Sequence, residues 1–243
     1  VRGQFSAGGT FRRVTSNESG AVLVVMAAVC VALSLLFAGI CEFGRFLLMR
    51  EQTQTAADAA ALAGAVSGVK RWVNITVFTD RGDRLECDEF SCWCESCGVV
   101  GHTVTGRERK LLDEEGWRDY CEPPCSCGGG SCWYVINDRW VTYDSGNSGW
   151  SRLAAEAFYY ANEPLIASDS QVIRTVFHNS RSDPAYPSVT VYGRSWLSSL
   201  FPGFLGAFPE SYKTDVCTQG QTYYHPPYSL KWTRAPERAC WKD

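Results

Sequence analysis

Twenty-one consecutive residues, Ala21 to Cys41, read AVLVVMAAVCVALSLLFAGIC and contain no charge, no proline and one glycine. As a helix rising about 1.5 Å per residue, the run covers about 30 Å, the hydrocarbon thickness of a bilayer. A core helix of a soluble protein rarely runs so far without one charge. A cleaved secretory signal has a shorter apolar core, about 7–15 residues, and a small-residue cut site soon after it. The run therefore predicts a retained transmembrane anchor. Cys30 and Cys41 serve there as small apolar residues.

The flanks set the orientation. Arg2, Arg12 and Arg13 precede the span, and Arg45 and Arg50 follow it. The Lys/Arg bias makes residues 1–19 a basic cytoplasmic tail and puts the C-terminal body outside. The localisation expected is the cell membrane, single-pass, with an extracytoplasmic or cell-surface domain. Cysteine usage agrees: ten of the twelve cysteines, all nine tryptophans and all eleven tyrosines lie beyond residue 66. Ten cysteines in one exterior body suit an oxidising compartment. Lys and Arg total 23 against 26 Asp and Glu, a net charge of -3. Without a basic field, nucleic acid is not a partner.

The helix does not stop at the membrane. Residues 42–68 contain no proline, and Leu, Met, Arg, Glu, Gln and Ala all favour helix. One helix over 20–66 is expected, its second half projecting beyond the lipid. That half is nearly all small: Ala56, Ala57, Ala59, Ala60, Ala61, Ala63 and Ala65, with Gly64. Small side chains let a helix or sheet approach closely. Two packings follow, one against the chain's own domain and one against copies or partners. Ala57, Asp58, Ala60, Ala61 and Gly64 are the candidate helix-packing residues. Asp58 is the lone charge of the alanine run, and a lone acid in a tight face needs a partner.

Several short signatures fall in a fixed order: Gly20, the apolar span, Glu42-Phe43-Gly44-Arg45, then Ala57-Asp58 and the alanines to Ala65. This order resembles the N-terminus of the Tad (tight adherence) TadE/TadG-like family of Flp pilus-assembly proteins. The resemblance covers residues 18–66. It implies a pilin-like helix and a role in assembling or anchoring a Flp-type pilus or secretion apparatus. The implied partners are the membrane and other pilus-assembly or pilin-like subunits, copies of this chain included. Pilins of this kind are cut after a glycine and carry Glu at the fifth mature position. Gly20 is the candidate processing site, and the fifth position after it is Val25. The resemblance is thus closest to the TadG-type branch, which keeps its N-terminus as an anchor.

The exterior body, 67–243, reads as one α+β domain with an antiparallel sheet. Trp72–Thr79 predicts a strand, Arg81-Gly82-Asp83 a turn. Cys132–Tyr143 predicts a hairpin or a pair of short strands turning at Asn137-Asp138, and Trp150–Asn162 a helix. Gln171–His178, Ser188–Tyr192 and Ser211–Thr218 predict strands. The apolar Trp196–Phe208 reads as core, with a contact patch at the membrane or a partner as the other reading. Helix 154–162 followed by a strand, an apolar segment and a last strand also resembles TadG-like ectodomains.

Residues 80–132 form a disulfide-rich insertion. Cys87, Cys92, Cys94 and Cys97 make one cluster; Cys121, Cys125, Cys127 and Cys132 make another; Arg107–Tyr120 between them predicts a short charged helix. Zinc and, at Cys94-x-x-Cys97, thiol redox chemistry are alternatives. Zinc-ribbon knuckles need paired C-x2-C, and only one occurs. No helix start follows Cys94-x-x-Cys97 as a redox motif requires. Structural disulfides are the better reading, since cross-links hold a loop-rich segment that has no core. Eight cysteines allow 105 connectivities. Cys217 and Cys240 are expected to bond each other.

Enzyme chemistry is thin. His102, His178 and His225 are the only imidazoles, and none sits in a nucleophile, zinc-protease, phosphate-loop or dinucleotide motif. The Arg81-Gly82-Asp83 triplet reads as turn chemistry before adhesion. Asn74-Ile75-Thr76 fits a glycosylation acceptor. The reading is a non-catalytic structural protein without cofactor or metal. The alternative is a ligand- or metal-binding surface module, or a thiol-redox protein, using the cysteine block.

Overall fold

The computed structural model describes residues 15–203, 206, 208–224 and 240. The basic tail before residue 15 and His225 lie outside the described residues. Helix α1, Thr15–Ser67, is 53 residues long, roughly 80 Å at 1.5 Å per residue. It is continuous through Gly20, Gly39, Gly44 and Gly64, because each glycine is flanked by strong helix formers. Its first half stands clear of the rest of the molecule, with Val22 to Phe37 almost uniformly exposed. An apolar surface of this length survives only if lipid or protein covers it. Ser34 donates to the Cys30 carbonyl at 2.8 Å, which satisfies its hydroxyl inside the helix.

Beyond α1 the described residues form eight strands and a second α-helix, all strands antiparallel. Strands β1 (Val69–Asp80), β4 (Val99–Arg107) and β5 (Ser131–Tyr143) form a sheet in the order β4-β1-β5. Strands β2 (Asp83–Cys87) and β3 (Cys92–Ser96) form a separate two-stranded finger. After helix α2 (Trp150–Ala161) come β6 (Asp169–His178), β7 (Ser188–Ser198) and β8 (Ser211–Gln221), a sheet in the order β6-β7-β8. One core lies between α1, α2 and the β6-β7-β8 sheet. The second lies on one face of the β4-β1-β5 sheet, where Val73, Ile75 and Val77 meet Leu111, under Trp117 and the Cys121–Cys132 bridge.

Three expectations are corrected. Residues 132–143 are one strand rather than a hairpin. Asn137 is an extra residue in its ladder: Asn74 pairs with Asp138 and Ile75 with Ile136. The Asn137 amide donates to Asn74 Oδ1 and Thr76 Oγ1, so the bulge is held by the neighbouring strand instead of opening into a turn. Residues 107–120 form two single turns, 109–113 and 116–120, broken where Glu115 takes a left-handed conformation at φ 53°. Lastly, the insertion is not mostly loop. Its β4 pairs with β1 from Trp72 to Asp80 as a full sheet partner, and only the finger and the segment around Cys125 and Cys127 stand apart. The hydrophobic pattern of β4 is weak because two of its positions facing the covered side are Gly106 and His102.

Candidate functional site

The projecting half of α1 is where the sequence signatures meet the exterior domain. Met49, Thr53, Ala56, Ala57, Ala60, Ala61, Gly64 and Ala65 recur at helical spacing and are all buried. They pack on α2, β7 and β8 of the same chain. Of the two packings open to the alanine block, the structure shows the intramolecular one. The small residues set the distance. A Cβ at Gly220 of β8 would lie 2.1 Å from the Ala61 carbonyl oxygen, and one at Gly64 would lie 3.2 Å from Ala155 Cβ on α2. Backbone therefore touches backbone where larger side chains would hold the elements apart. Asp58 is on the other side of the helix, exposed, with Gln54 Nε2 at 3.4 Å from its Oδ1. Burial follows the Ala56/Ala60 face, and Asp58, expected in a tight face with a partner, is turned away from that face and pairs with Gln54.

A chain of buried hydroxyls crosses this interface. Thr53 Oγ1 is 2.9 Å from Ser195 Oγ, which is 2.9 Å from Ser170 Oγ, which is 2.8 Å from the Tyr159 hydroxyl. Four elements, α1, β7, β6 and α2, are joined by it. A buried hydroxyl without a partner is costly, so the chain favours one register of helix on sheet. Burial pushes the Tyr159 phenol above its usual pKa, and the Ser170 hydrogen bond only partly opposes this.

The acid-x-Gly-Arg step has its own task. Glu42, the first residue past the apolar run, is 2% exposed. Its Oε1 accepts from Ser199 Oγ at 2.9 Å, from the Phe201 N–H at 3.3 Å and from the Leu200 N–H. Arg45 Nη1 lies 3.7 Å from Glu42 Oε2 and 3.4 Å from the Ser198 carbonyl. Glu42 thereby clasps the β7–β8 tip to the helix at the point where it leaves the apolar span. The donors on Oε1 and the guanidinium 3.7 Å from Oε2 offset part of the cost of burying this carboxyl, whose Oε2 takes no hydrogen bond among the described residues. Sequence reading identified the step but not this role, because the tip lies more than 150 residues away in the chain.

The ten cysteines beyond α1 form five disulfides: Cys87–Cys92, Cys94–Cys127, Cys97–Cys125, Cys121–Cys132 and Cys217–Cys240. Cys94 and Cys97 are joined to Cys127 and Cys125 rather than to each other, so the C-x-x-C spacing is not a redox pair. The block's eight sulfurs are all consumed in bridges, and none remains as a thiolate ligand. Cys30 and Cys41 in α1 are free. The Arg81-Gly82-Asp83 turn is the hub between the clusters: Cys97 N–H donates to the Gly82 carbonyl, and Cys125 and Cys127 donate to the carbonyls of Arg81 and Asp83. Gly82 at φ 67° is required there, since a Cβ would fall 2.4 Å from the Gly128 carbonyl oxygen. The Arg81 guanidinium pairs with Glu122 at 3.4 Å, so the triplet is built into the finger's base. Asn74 Nδ2 donates to Thr105 Oγ1, which engages the glycosylation candidate in the sheet.

His102 pairs with Glu122 on the surface. Among the described residues, His178 is the one imidazole in a relay, with Nδ1 2.5 Å from Asp183 Oδ2 and Nε2 2.9 Å from Thr190 Oγ1. The order acid, imidazole, hydroxyl resembles a nucleophile triad. Thr190, however, is wholly buried within the middle strand β7, out of a substrate's reach. The relay instead fixes the 179–187 loop, in which Asp183 also accepts the Ala185 N–H.

Together these features define a class: a protein with one helix long and apolar enough to span a membrane, continued as the spine of a disulfide-stapled α+β domain. Residues 20–67 match the family model of Tad, the putative Flp pilus-assembly TadE/G-like family. The match begins at the glycine before the span and ends with α1, so it covers the span, the Glu42 clasp and the alanine dock. No curated protein and no solved structure matches the chain. The family likeness thus rests on the helix, and the exterior sheets are read from their own geometry.

Proposed function

We propose that this chain is a membrane-anchored structural component of a Flp-type pilus-assembly apparatus, acting by packing rather than catalysis. The observation that carries the reading is the Tad match over a helix whose first, apolar half is left uncovered by the described residues of the chain. The inner face of the projecting half is used up by the chain's own sheet and by α2. The face left for neighbouring subunits is the opposite stripe, Leu48, Glu51, Thr55, Asp58, Leu62 and Val66, which repeats every three or four residues and is exposed throughout. Pilus-assembly or pilin-like subunits, copies of this chain among them, dock there through one helix in the membrane and one apolar-edged stripe above it. The exterior domain faces away from the cytoplasm and supplies contacts at the cell surface.

This assigns opposite outcomes to two substitutions one turn-face apart. Ala60→Leu fills the intramolecular dock and costs folding. Leu62→Arg leaves the fold intact and removes a neighbour contact. Cross-linking in native membranes followed by co-purification checks this: Leu62→Arg is expected to cut recovery of cross-linked partners several-fold at unchanged protein level. Undiminished recovery from Leu62→Arg sinks the assignment of the stripe.

A further inference from the structure

We infer that the β7–β8 tip is a second membrane contact, with Leu200 and Phe201 entering the lipid interface beside the end of the span; this rests on the anchor reading above. Three observations meet here. The first is height. Glu42 directly follows the last residue of the apolar run, and it holds the backbone N–H groups of both Leu200 and Phe201. Hydrogen bonding fixes those residues at the level where the helix leaves lipid.

The second is chemistry. No charged residue falls between Arg194 and Glu210. Leu200 is 54% and Phe201 37% exposed, and Phe201 and Phe208 meet at 6.3 Å between ring centroids with their planes tilted 49°. Ile40 and Phe43, flanking the clasp on α1, are also exposed. These side chains form an apolar rim around the helix exit. Aromatic and apolar residues at this depth lower the free energy of the membrane-bound state, while in water the same patch is a liability.

The third is overlap with the span itself. Ala38, one turn before Glu42 and about 6 Å deeper along the helix, is 6% exposed, and Leu35, Gly39 and Cys41 are half-buried. Protein already covers one stripe of the last two turns of the span. The element that Glu42 places beside that stripe is the tip. A bilayer that begins at Cys41 therefore meets the tip as well as the helix. The clasp also explains how a buried carboxylate is tolerated at a lipid boundary: its donors come from the tip that shields it.

The occupant is the lipid bilayer, continuous with the lipid around α1. The test uses the full-length chain in vesicles of phosphatidylethanolamine and phosphatidylglycerol, with benzoylphenylalanine replacing one residue at a time. Position 37, exposed in the span, reports the anchor; position 200 reports the tip; position 90, 93% exposed on the β2–β3 turn, is the control. After irradiation, mass spectrometry is expected to find lipid adducts at 37 and 200, within several-fold of each other, and none at 90. Adducts at 37 without any at 200 overturn the tip contact and leave the anchor standing. Capture of a second protein chain from position 200 in place of lipid overturns it too. Absence of lipid adducts at 37 removes the anchor reading, and the tip contact with it.

Discussion

Ala60, Ala61 and Ala65 on α1 are wholly buried against sheet and helix, whereas every residue of strand β3 in the finger is exposed. The first region is held by close approach. Its glycines and alanines bring backbone to backbone, and one hydroxyl chain keys the register. The second has almost no side chains inside and is held by covalent bonds: three bridges tie β2, β3 and the 125–127 segment together, and a fourth ties its base to β5. The comparison teaches where each means is useful. A spine that continues from the membrane presents one rigid face, which a sheet can bury. A hairpin of two five-residue strands standing off a sheet has no second layer to pack on, and cross-links constrain its unfolded ensemble instead.

Reduction separates the two regions most sharply. Each bridge contributes roughly 2–4 kcal/mol, so a thiol reductant is expected to unfold the finger and leave the dock folded. Hydrogen exchange should show residues 83–97 and 121–130 losing protection while 53–65 and 188–198 keep theirs. Loss of protection in both regions together would show that the dock depends on the finger.

Gly220→Ala attacks the other side of the comparison. Its Cβ meets the Ala61 backbone rather than a movable side chain, so either α1 or β8 must shift. The expected loss is about 3 kcal/mol, the upper range for overpacking. Thermal unfolding of the detergent-solubilised protein measures it, and an unchanged midpoint would mean that helix and sheet are less tightly apposed than this geometry shows.

Alkali gives a smaller effect, in the dock and at Tyr186 beside β5. Burial pushes Tyr143 up to about 12 and raises Tyr159 and Tyr186 above 10. The folded state disfavours the tyrosinate, so this contribution is whole below pH 10 and is lost as pH rises from 10 toward 12. For Tyr143 it amounts to about 2–3 kcal/mol. Absorbance at 295 nm should show a late-titrating class of tyrosines that ionises together with loss of α1 protection. A single titration near pH 10 for all tyrosines would contradict the buried geometry.

Much of the architecture was legible in local pattern. The apolar run, the proline-free continuation and the alanine block foretell α1, and the even cysteine count in an exterior body foretells bridges. The strands β6 and β8 begin within two residues of where β-branched and aromatic runs place them. Asn137-Asp138 misled because its turn chemistry is indistinguishable in sequence from a bulge, and the neighbouring Asn74 and Thr76 decide between them. Asp58 misled because a lone acid among alanines says nothing about which side of the helix it occupies.

What the sequence by itself determined is the class of the protein: a helix that must find lipid, a body that must be oxidised, and a Tad-like succession of residues along the helix. Those follow from composition and spacing along one segment, where covalent neighbours do the work. Only the tertiary structure decided that the alanine face serves the chain's own fold, that Glu42 clasps a tip more than 150 residues away, and which cysteines are joined. Each of these is a contact between distant segments, and its energy exists only once the intervening chain has brought the partners together.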